Sequence, residues 1–165
     1  MTDSSIYIRP AGSDDKEALA DIISTSYRDV AVRFELTAEN CPKHPSNCTL
    51  CWIEGDVDRG AKYYLLMAQD KPIGCVAVEM ADQEVAYLER LAVLPEYRGQ
   101  EYGTQLARHA MDLAQKEGAA RMSIGIIAAQ TELKQWYGSL GFNEGETRDF
   151  DHLPFMVTFM SYTFP

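Results

Sequence analysis

The chain lacks the features that mark several large classes of protein. Its 165 residues contain no apolar run as long as a membrane span, so we expect no membrane helix. Residues 1–10 show no basic start followed by an apolar stretch, so we expect no secretory signal. Only 15 basic residues face 25 acidic ones, and the net charge of −10 argues against nucleic acid or an anionic membrane as partner. Four cysteines without an export signal favour reduced thiols and a cytoplasmic location.

Two common phosphate-binding motifs are absent as well. The chain has no Gly-x-x-x-x-Gly-Lys-Ser/Thr segment, which argues against a P-loop. It has no Gly-x-Gly-x-x-Gly early in a βαβ unit, which argues against a Rossmann dinucleotide site. No internal repeat, low-complexity tract or linker interrupts the sequence, so we expect a single domain over residues 1–165.

Residues 91–103 form the most informative segment that is present. An apolar run predicts a strand that stops at Pro95, and a loop with Arg98, Gly99 and Gly103 follows before Thr104 opens a helical pattern. The first N–H groups of a helix have no internal partner, and the helix dipole adds positive charge there. Strand, glycine-bearing loop and helix start in this order therefore predict a site for a diphosphate-bearing cofactor.

This segment resembles the coenzyme A loop of the GNAT superfamily of N-acetyltransferases. The family pattern is Arg/Gln-x-x-Gly-x-Gly/Ala after a strand, and Arg98, Gly103 and the lead-in at 92–95 fit it. Glu101 stands where the family has its first glycine, so its carboxylate must point away from the pyrophosphate. Residues 136–142, Trp-Tyr-Gly-Ser-Leu-Gly-Phe, match a second family signature, Phe/Leu-Tyr-x-x-x-Gly-Phe. Within the family, the chain resembles a subgroup with a His-Pro-Ser-Asn-Cys loop.

The pattern of the chain predicts the fold that this resemblance implies. Alternating and apolar runs predict strands at 6–8, 62–69, 73–80, 85–94, 122–128 and 155–162, and helices begin near residues 13, 49, 104 and 131. We expect an α/β (α+β) GNAT fold, a mixed central β-sheet flanked by helices in the order β-α-α-β-β-β-α-β-α-β-β. The strands at 62–69 and 73–80 are predicted to form a hairpin that turns at residues 70–72. The apolar last strand could form a homodimer contact or could belong to the core.

The resemblance implies that acetyl-CoA is the co-substrate and that its acetyl group passes directly to a primary amine of a small molecule or peptide. The implied cofactor contacts lie on the fourth strand, the loop after it and the fourth helix: Leu91, Ala92, Val93, Arg98, Gly99, Gln100, Glu101, Tyr102, Gly103, Thr104, Gln130 and Tyr137. Arg98 is expected to add charge at the pyrophosphate, and Gln130 to bond the pantetheine arm or to start its helix.

Two residues are candidates for proton transfer. The resemblance implies that Tyr137 protonates the departing thiolate, although it could be only a packed aromatic. Strand alternation predicts that Tyr87, Glu89, Leu91 and Val93 share one face, which would place Glu89 near the thioester as a base. Alternatively, Glu89 pairs with Arg90 at the sheet surface.

The loop at residues 41–51 is unusually rich in cysteine and histidine. Its spacing, Cys-x2-His-x3-Cys-x2-Cys, allows a zinc site at Cys41, His44, Cys48 and Cys51, but four ligands within eleven residues are closer than structural zinc sites use. The resemblance places this loop and residues 151–155 beside the acceptor groove, which implies the substrate contacts His44, Ser46, Cys48 and His152. The acidic charge either favours a cationic acceptor or only aids solubility. An inactive acyl-CoA sensor and a zinc-binding interaction module remain alternatives.

Overall fold

A seven-stranded sheet runs through the computed structural model, which describes residues 5–165. The predicted domain over residues 1–165 therefore includes four residues outside this description. The strands lie in the order β1-β2-β3-β4-β5-β7-β6. Strands β4 and β5 run parallel, and the other neighbours run antiparallel. The strands are β1 (Ile6–Pro10), β2 (Lys62–Ala68), β3 (Lys71–Met80), β4 (Val85–Val93), β5 (Arg121–Ile127), β6 (Asn143–Asp149) and β7 (Met156–Thr163).

Five helices accompany the sheet in the described part of the chain: α1 (Lys16–Ser26), α2 (Arg28–Arg33), α3 (Leu50–Asp58), α4 (Tyr102–Lys116) and α5 (Thr131–Ser139). The predicted mixed fold is confirmed, with one more short helix than expected between β1 and β2 because the backbone of Tyr27 separates α1 from α2. The prediction that α4 opens at Thr104 is wrong by two residues. The helix starts at Tyr102 because Glu101 occupies the position before it in a left-handed conformation.

Both faces of the sheet are buried, so the core has two layers. On one face, α4 packs its Leu106 and Ala110 against strand residues such as Leu66. On the other face, α1 and α3 pack Leu19, Ile23 and Ile53 against strand residues such as Leu65. The neighbours Leu65 and Leu66 lie in different layers because successive strand residues point to opposite faces. Burial of each such leucine stabilises the fold by about 2 kcal/mol.

A β-bulge in β4 changes which side chains share a face. Cys75 pairs with Ala92 and Ala77 pairs with Glu89, so two residues of β4 stand opposite one residue of β3. Arg90 adopts φ 55° at this point. Directly opposed residues project to the same face, and Ala77 lies in the layer of α1 and α3.

Because of the bulge, the side chains of β4 do not alternate between the two faces as predicted. Leu91 and Val93 pack against the α4 layer, whereas Glu89 projects to the other face. The prediction that Glu89 shares a face with Leu91 and Val93 is therefore wrong. The inserted residue advances the chain by one position, which inverts the order of faces beyond it.

The sheet opens between its two parallel strands. β4 pairs with β5 only from Val85↔Arg121 to Tyr87↔Ser123. β5 nevertheless continues to Ile127, held by β7 on its other side. Since the strands no longer pair beyond these three positions, the second halves of β4 and β5 form the two walls of a cleft.

Three further expectations concern the last strand, the end of α5 and the β2–β3 hairpin. β7 lies between β5 and β6, with Thr158 and Met160 buried, so the last strand contributes to the core, and β1 and β6 present the free edges within the described residues. A homodimer contact through this strand stays a prediction. Gly141 has φ 104° after α5 and Phe142 is buried, as predicted for the end of that helix. The hairpin turns at Gln69 and Asp70, both with positive φ, one residue earlier than predicted. None of the helices in residues 5–165 is long and apolar enough to cross a bilayer.

Candidate active site

Three neighbouring cavities form one route along β4. The first, of about 500 Å³, lies at the loop before α4, and we name it the loop cavity. The second, the middle cavity of about 450 Å³, lies between the end of α1 and α5. The third, the strand cleft of about 360 Å³, lies between the separated halves of β4 and β5. The first two share Val93, Arg98 and Trp136, and the last two share Leu91, Gln130 and Tyr137, so the lining is continuous.

The loop cavity is built around the N-terminus of α4. Gly99 turns the loop with φ 81°, and Glu101 precedes the helix with φ 63°. Gly103 packs its first turn so close to Trp136 that an added Cβ would lie 3.5 Å from the indole ring. The N–H groups of a helix's first turn have no partner within the helix, so this cavity suits an anionic group. Among the predicted loop contacts, Gln100 alone does not line it: Arg98, Gly99, Glu101, Tyr102, Gly103 and Thr104 do.

Arg98 holds the loop against α1. Its guanidinium donates to Asp29 at 2.9 Å and to the carbonyl oxygen of Ser26 at 2.6 Å, and its Nε donates to the carbonyl oxygen of Val93 at 3.3 Å. All three nitrogens of this guanidinium thus already donate hydrogen bonds within the protein. These contacts favour a role for Arg98 in shaping the loop over the predicted role as a cation at the pyrophosphate.

Tyr137 stands at the junction of the middle cavity and the strand cleft. The rings of Trp136 and Phe142, with centroids 4.8 and 5.4 Å away, fix its orientation by edge-to-face contact. Burial raises the pKa of the Tyr137 hydroxyl far above its ordinary value, so the group stays protonated at neutral pH. Gln130 is the N-cap of the same helix, and its carbonyl oxygen accepts from the N–H groups of Leu133 and Lys134. It lines both cavities, which is compatible with both of its predicted roles.

Tyr27 is a site residue that sequence reasoning missed. Its hydroxyl donates to the carbonyl oxygen of Leu91 at 2.8 Å, and its ring lines the middle cavity and the strand cleft. The contact joins the end of α1 to β4 just beyond the bulge. Its only signal in the sequence was helical spacing, which marks a packed residue and does not indicate which strand it reaches.

Glu89 and Arg90 line the strand cleft side by side. Burial raises the pKa of the Glu89 carboxyl above its usual range, and the neighbouring Arg90 opposes that shift. Oε2 of Glu89 and Nε of Arg90 are buried without a hydrogen-bond partner among the described residues. The alternative that Glu89 only pairs at the sheet surface is not what the structure shows. The carboxylate lies in a cleft, where a raised pKa suits a general base.

Of the four predicted substrate contacts, only His44 lines the strand cleft. Its Nδ1 lies 2.8 Å from Oγ of Ser46, which turns Ser46 toward the histidine and away from the cleft lining. Burial lowers the pKa of His44, so the imidazole is neutral at pH 7. Cys48 packs in the α1 layer, and burial raises the pKa of its thiol to about 11. His152 makes an edge-to-face contact with Phe150, with 5.8 Å between the ring centroids. Ser46, Cys48 and His152 do not line the cleft, so their contacts with an acceptor stay predictions.

The cysteine–histidine loop does not form the zinc site that its spacing allowed. Within residues 5–165, no three histidine, cysteine, aspartate or glutamate side chains converge as metal ligands. Cys41 is buried beside Ala31 and Leu36, and Cys51 is exposed on α3, so the spacing alone did not bring the four side chains together.

Comparison with known proteins agrees with this geometry. The profile of the Acetyltransferase (GNAT) family matches residues 17–142. A ribosomal protein bS18-alanine N-acetyltransferase of Escherichia coli is 29% identical over 92 residues, which cover 55% of this chain and 62% of that relative. The match thus spans about three-fifths of the relative's length.

Solved structures show the same architecture. A PaiA N-acetyltransferase of Thermoplasma acidophilum, solved with coenzyme A, has a TM-score of 0.78 at 19% identity and covers 97% of this chain and 99% of its own. A GNAT acetyltransferase of Elizabethkingia anophelis with acetyl-CoA bound has a TM-score of 0.72 at 15% identity, over 96% of this chain and 98% of its own. With the family match, the fold and the loop–cleft route in agreement, the chain belongs to the GNAT acetyltransferase family.

Proposed function

We propose that the protein transfers the acetyl group of acetyl-CoA to a primary amine. The observation that carries the proposal is the continuous lining from the N-terminus of α4, past Tyr137, to the half-buried carboxylate of Glu89 in the strand cleft. An elongated thioester with an anionic head needs such a route. The names of the relatives support it, since one is an alanine N-acetyltransferase and two structural neighbours hold coenzyme A or acetyl-CoA. The free state of all four cysteines supports a reducing, cytoplasmic setting.

The loop cavity and the middle cavity take the co-substrate, and the strand cleft takes the acceptor. The N–H groups of residues 99–104 bind the pyrophosphate at the loop cavity. The pantetheine arm follows the middle cavity along Leu91, Ala92 and Val93, where it also meets Gln130. The thioester then lies at the junction beside Tyr137, and the acceptor amine enters from the strand cleft.

The chemistry requires three proton transfers in addition to acyl transfer. Glu89, directly or through water, takes a proton from the acceptor ammonium, and the amine nitrogen then attacks the thioester carbonyl carbon. The new C–N bond forms, the C–S bond breaks through a tetrahedral intermediate, and the buried Tyr137 hydroxyl protonates the leaving thiolate. The attacking nitrogen loses its second proton as the amide forms, and this proton passes through water to the tyrosinate, which restores Tyr137. The high pKa of Cys48 and its position in the α1 layer support direct transfer without an acyl-cysteine.

Replacement of Tyr137 by phenylalanine tests this assignment. We expect the variant to bind acetyl-CoA with the wild-type Kd in isothermal titration, because only the hydroxyl is lost. We expect kcat for thiol release in the presence of amines to fall about 100-fold, at the lower end of the range typical of a lost general acid. Tyr64→Phe, a partly buried tyrosine on β2 outside all three cavities, is the matched control and should keep full activity.

Two results would contradict the proposal in different ways. Full activity of Tyr137→Phe would remove the tyrosine from the mechanism but leave the reaction intact. Binding of acetyl-CoA by the wild-type protein without acetylation of any amine in a broad panel would favour an acyl-CoA sensor instead. Glu101 in the cofactor loop is the feature that favours this second function.

A further inference from the structure

The charges that line the strand cleft differ from those of the chain as a whole. The protein carries a net charge of −10, yet the cleft is lined by two cations, Lys43 and Arg90, and one carboxylate, Glu89. His44 also lines the cleft, and its imidazole is neutral because burial lowers its pKa. A polycationic acceptor would therefore meet repulsion inside the cleft, although the outer surface attracts it.

Two residues of α3 hold the Arg90 side chain in place. Its guanidinium carbon lies 4.9 Å from the centroid of the Trp52 ring on α3, and its Nε lies 3.6 Å from a carboxylate oxygen of Asp56. Asp56 is almost fully buried and is also held by Tyr63 and by Arg59, whose Nη1 lies 3.0 Å away. Within the described residues, the guanidinium donates no hydrogen bond, and its Nε is buried against Asp56.

The bulge in β4 places this guanidinium directly beside the proposed base. In a regular strand, Glu89 and Arg90 would project to opposite faces, but here both lie on the face of α1 and α3 and both line the cleft. A carboxylate and a guanidinium side by side are complementary to a molecule that carries an ammonium and a carboxylate close together. The two groups of a free amino acid have this arrangement, and guanidinium binds carboxylate with two parallel hydrogen bonds.

The size and walls of the cleft fit a small acceptor. Its volume is about 360 Å³, near the lower end of small-molecule pockets. Cys41 and residues 43–45 form one wall, and Leu153 and Phe155 add apolar surface to another. Lys43 on that loop is exposed and has no ion-pair partner within residues 5–165, so it is free to approach an anion at the cleft.

We propose that Arg90, assisted by Lys43, binds a carboxylate of the acceptor, and that the acceptor is a free amino acid acetylated on its amino group next to Glu89. This inference rests on the proposed acetyltransfer. Arg90 then determines specificity. By binding the acceptor carboxylate, it directs the acceptor ammonium to the neighbouring base, Glu89. Lys43 contributes longer-range attraction from the loop.

Matched acceptors test the carboxylate requirement. Each common amino acid is compared with its carboxamide and with the corresponding amine that lacks the carboxyl carbon, with spermidine and an alanine-starting peptide as further acceptors. We expect kcat/KM for the best amino acid to exceed that of its amide at least tenfold. This ratio does not depend on the concentration of active enzyme, so a partly folded variant can still be compared with the wild type.

Variants then assign the preference to its residues. Arg90→Gln should lower the acid-to-amide ratio at least tenfold, and Arg90→Lys, which keeps the charge but loses the paired donors, should lower it less. Lys43 lies on an exposed loop, so Lys43→Gln should leave the fold unaffected. This variant should lower the acid-to-amide ratio about threefold. Lys116→Gln, an exposed lysine on the last turn of α4 outside the cleft, is the matched control and should leave the ratio unchanged.

Binding of the reaction products tests the carboxylate site independently of acetyl transfer. In the presence of coenzyme A, an N-acetylamino acid should stabilise the protein thermally more than its N-acetyl amide does. If no amine is acetylated, the proposed reaction is wrong. The difference in thermal stabilisation between the two products still tests whether the cleft binds a carboxylate. Equal use of acid and amide, or a preference for spermidine or the peptide, would overturn the inference, as would equal stabilisation by the two products.

Discussion

Replacement of Glu101 by glycine should strengthen coenzyme A binding without loss of stability. Glu101 has φ 63°, a left-handed conformation that costs a residue with a Cβ about 1 kcal/mol. Glycine adopts this conformation freely but loses about 0.5–1 kcal/mol in chain entropy on folding. The two effects oppose each other, so we expect the free energy of unfolding to change by less than about 1 kcal/mol.

The gain in affinity comes from removal of a negative charge. The Glu101 carboxylate is exposed at the mouth of the loop cavity, where a water-like dielectric applies. At roughly 7 Å, each pair of like charges repels by about 0.6 kcal/mol, so a pyrophosphate with two charges loses about 1.2 kcal/mol. Salt at physiological strength screens part of this repulsion. We therefore expect Kd for coenzyme A to fall about threefold at physiological salt and about sevenfold at low salt.

Isothermal titration at two salt concentrations measures both values. Glu101→Gln removes the charge and keeps the Cβ, so it should reproduce most of the gain in affinity and none of the relief of strain. Glu96→Gln, an exposed glutamate just before the loop that does not line the cavity, is the matched control. An unchanged Kd in both Glu101 variants would refute the assignment of the loop cavity to the pyrophosphate.

Three further substitutions test the base, an ion pair and a helix end. Glu89→Gln should lower kcat/KM about 100-fold, and the wild-type rate should rise with pH through the raised pKa of Glu89, because the base acts only when ionised. Asp15→Asn should lower the free energy of unfolding by about 1 kcal/mol at pH 7, since the partner guanidinium of Arg9 lowers the pKa of Asp15 to about 2 in this partly exposed pair. Gly141→Ala should lower it by about 3 kcal/mol, because a Cβ would lie 2.7 Å from a ring carbon of Tyr162 at φ 104°.

Each of these predictions has its own control. The rise of rate with pH should be absent from Glu89→Gln, and its persistence would place the titrating base elsewhere. A lowered native pKa stabilises the fold above the unfolded value, so the effect of Asp15→Asn should fade between about pH 4 and pH 2. Asp14→Asn, its exposed neighbour, should have little effect. Gly60→Ala, with φ 106° and no atom within 4 Å of the added Cβ, should cost only about 1 kcal/mol, and equal losses in the two glycine variants would contradict the steric argument.

The features that could be predicted from the sequence are those specified by local rules. The strand, loop and helix around Gly103 follow from the apolar run and the glycine pattern between residues 91 and 104. The stop at Gly141 and the burial of Phe142 follow from the left-handed residue that ends a helix. The β2–β3 hairpin follows from two alternating runs around a turn. Each signal lies within a few residues along the chain.

What only the tertiary structure decided depends on contacts between distant segments. Arg98 pairs with Asp29, which lies 69 positions away, so its isolated position in the motif could not reveal its partner. The bulge at Arg90 depends on the register of β4 with β3, and it places Leu91 and Val93 on the face opposite to Glu89. The cleft exists because β4 and β5 stop pairing after Tyr87. The sequence by itself determined the family pattern and the order of the elements, because periodicity and turn chemistry are local. Register, strand separation and side-chain pairing set the charges of the acceptor site, and these arise only when remote segments pack together.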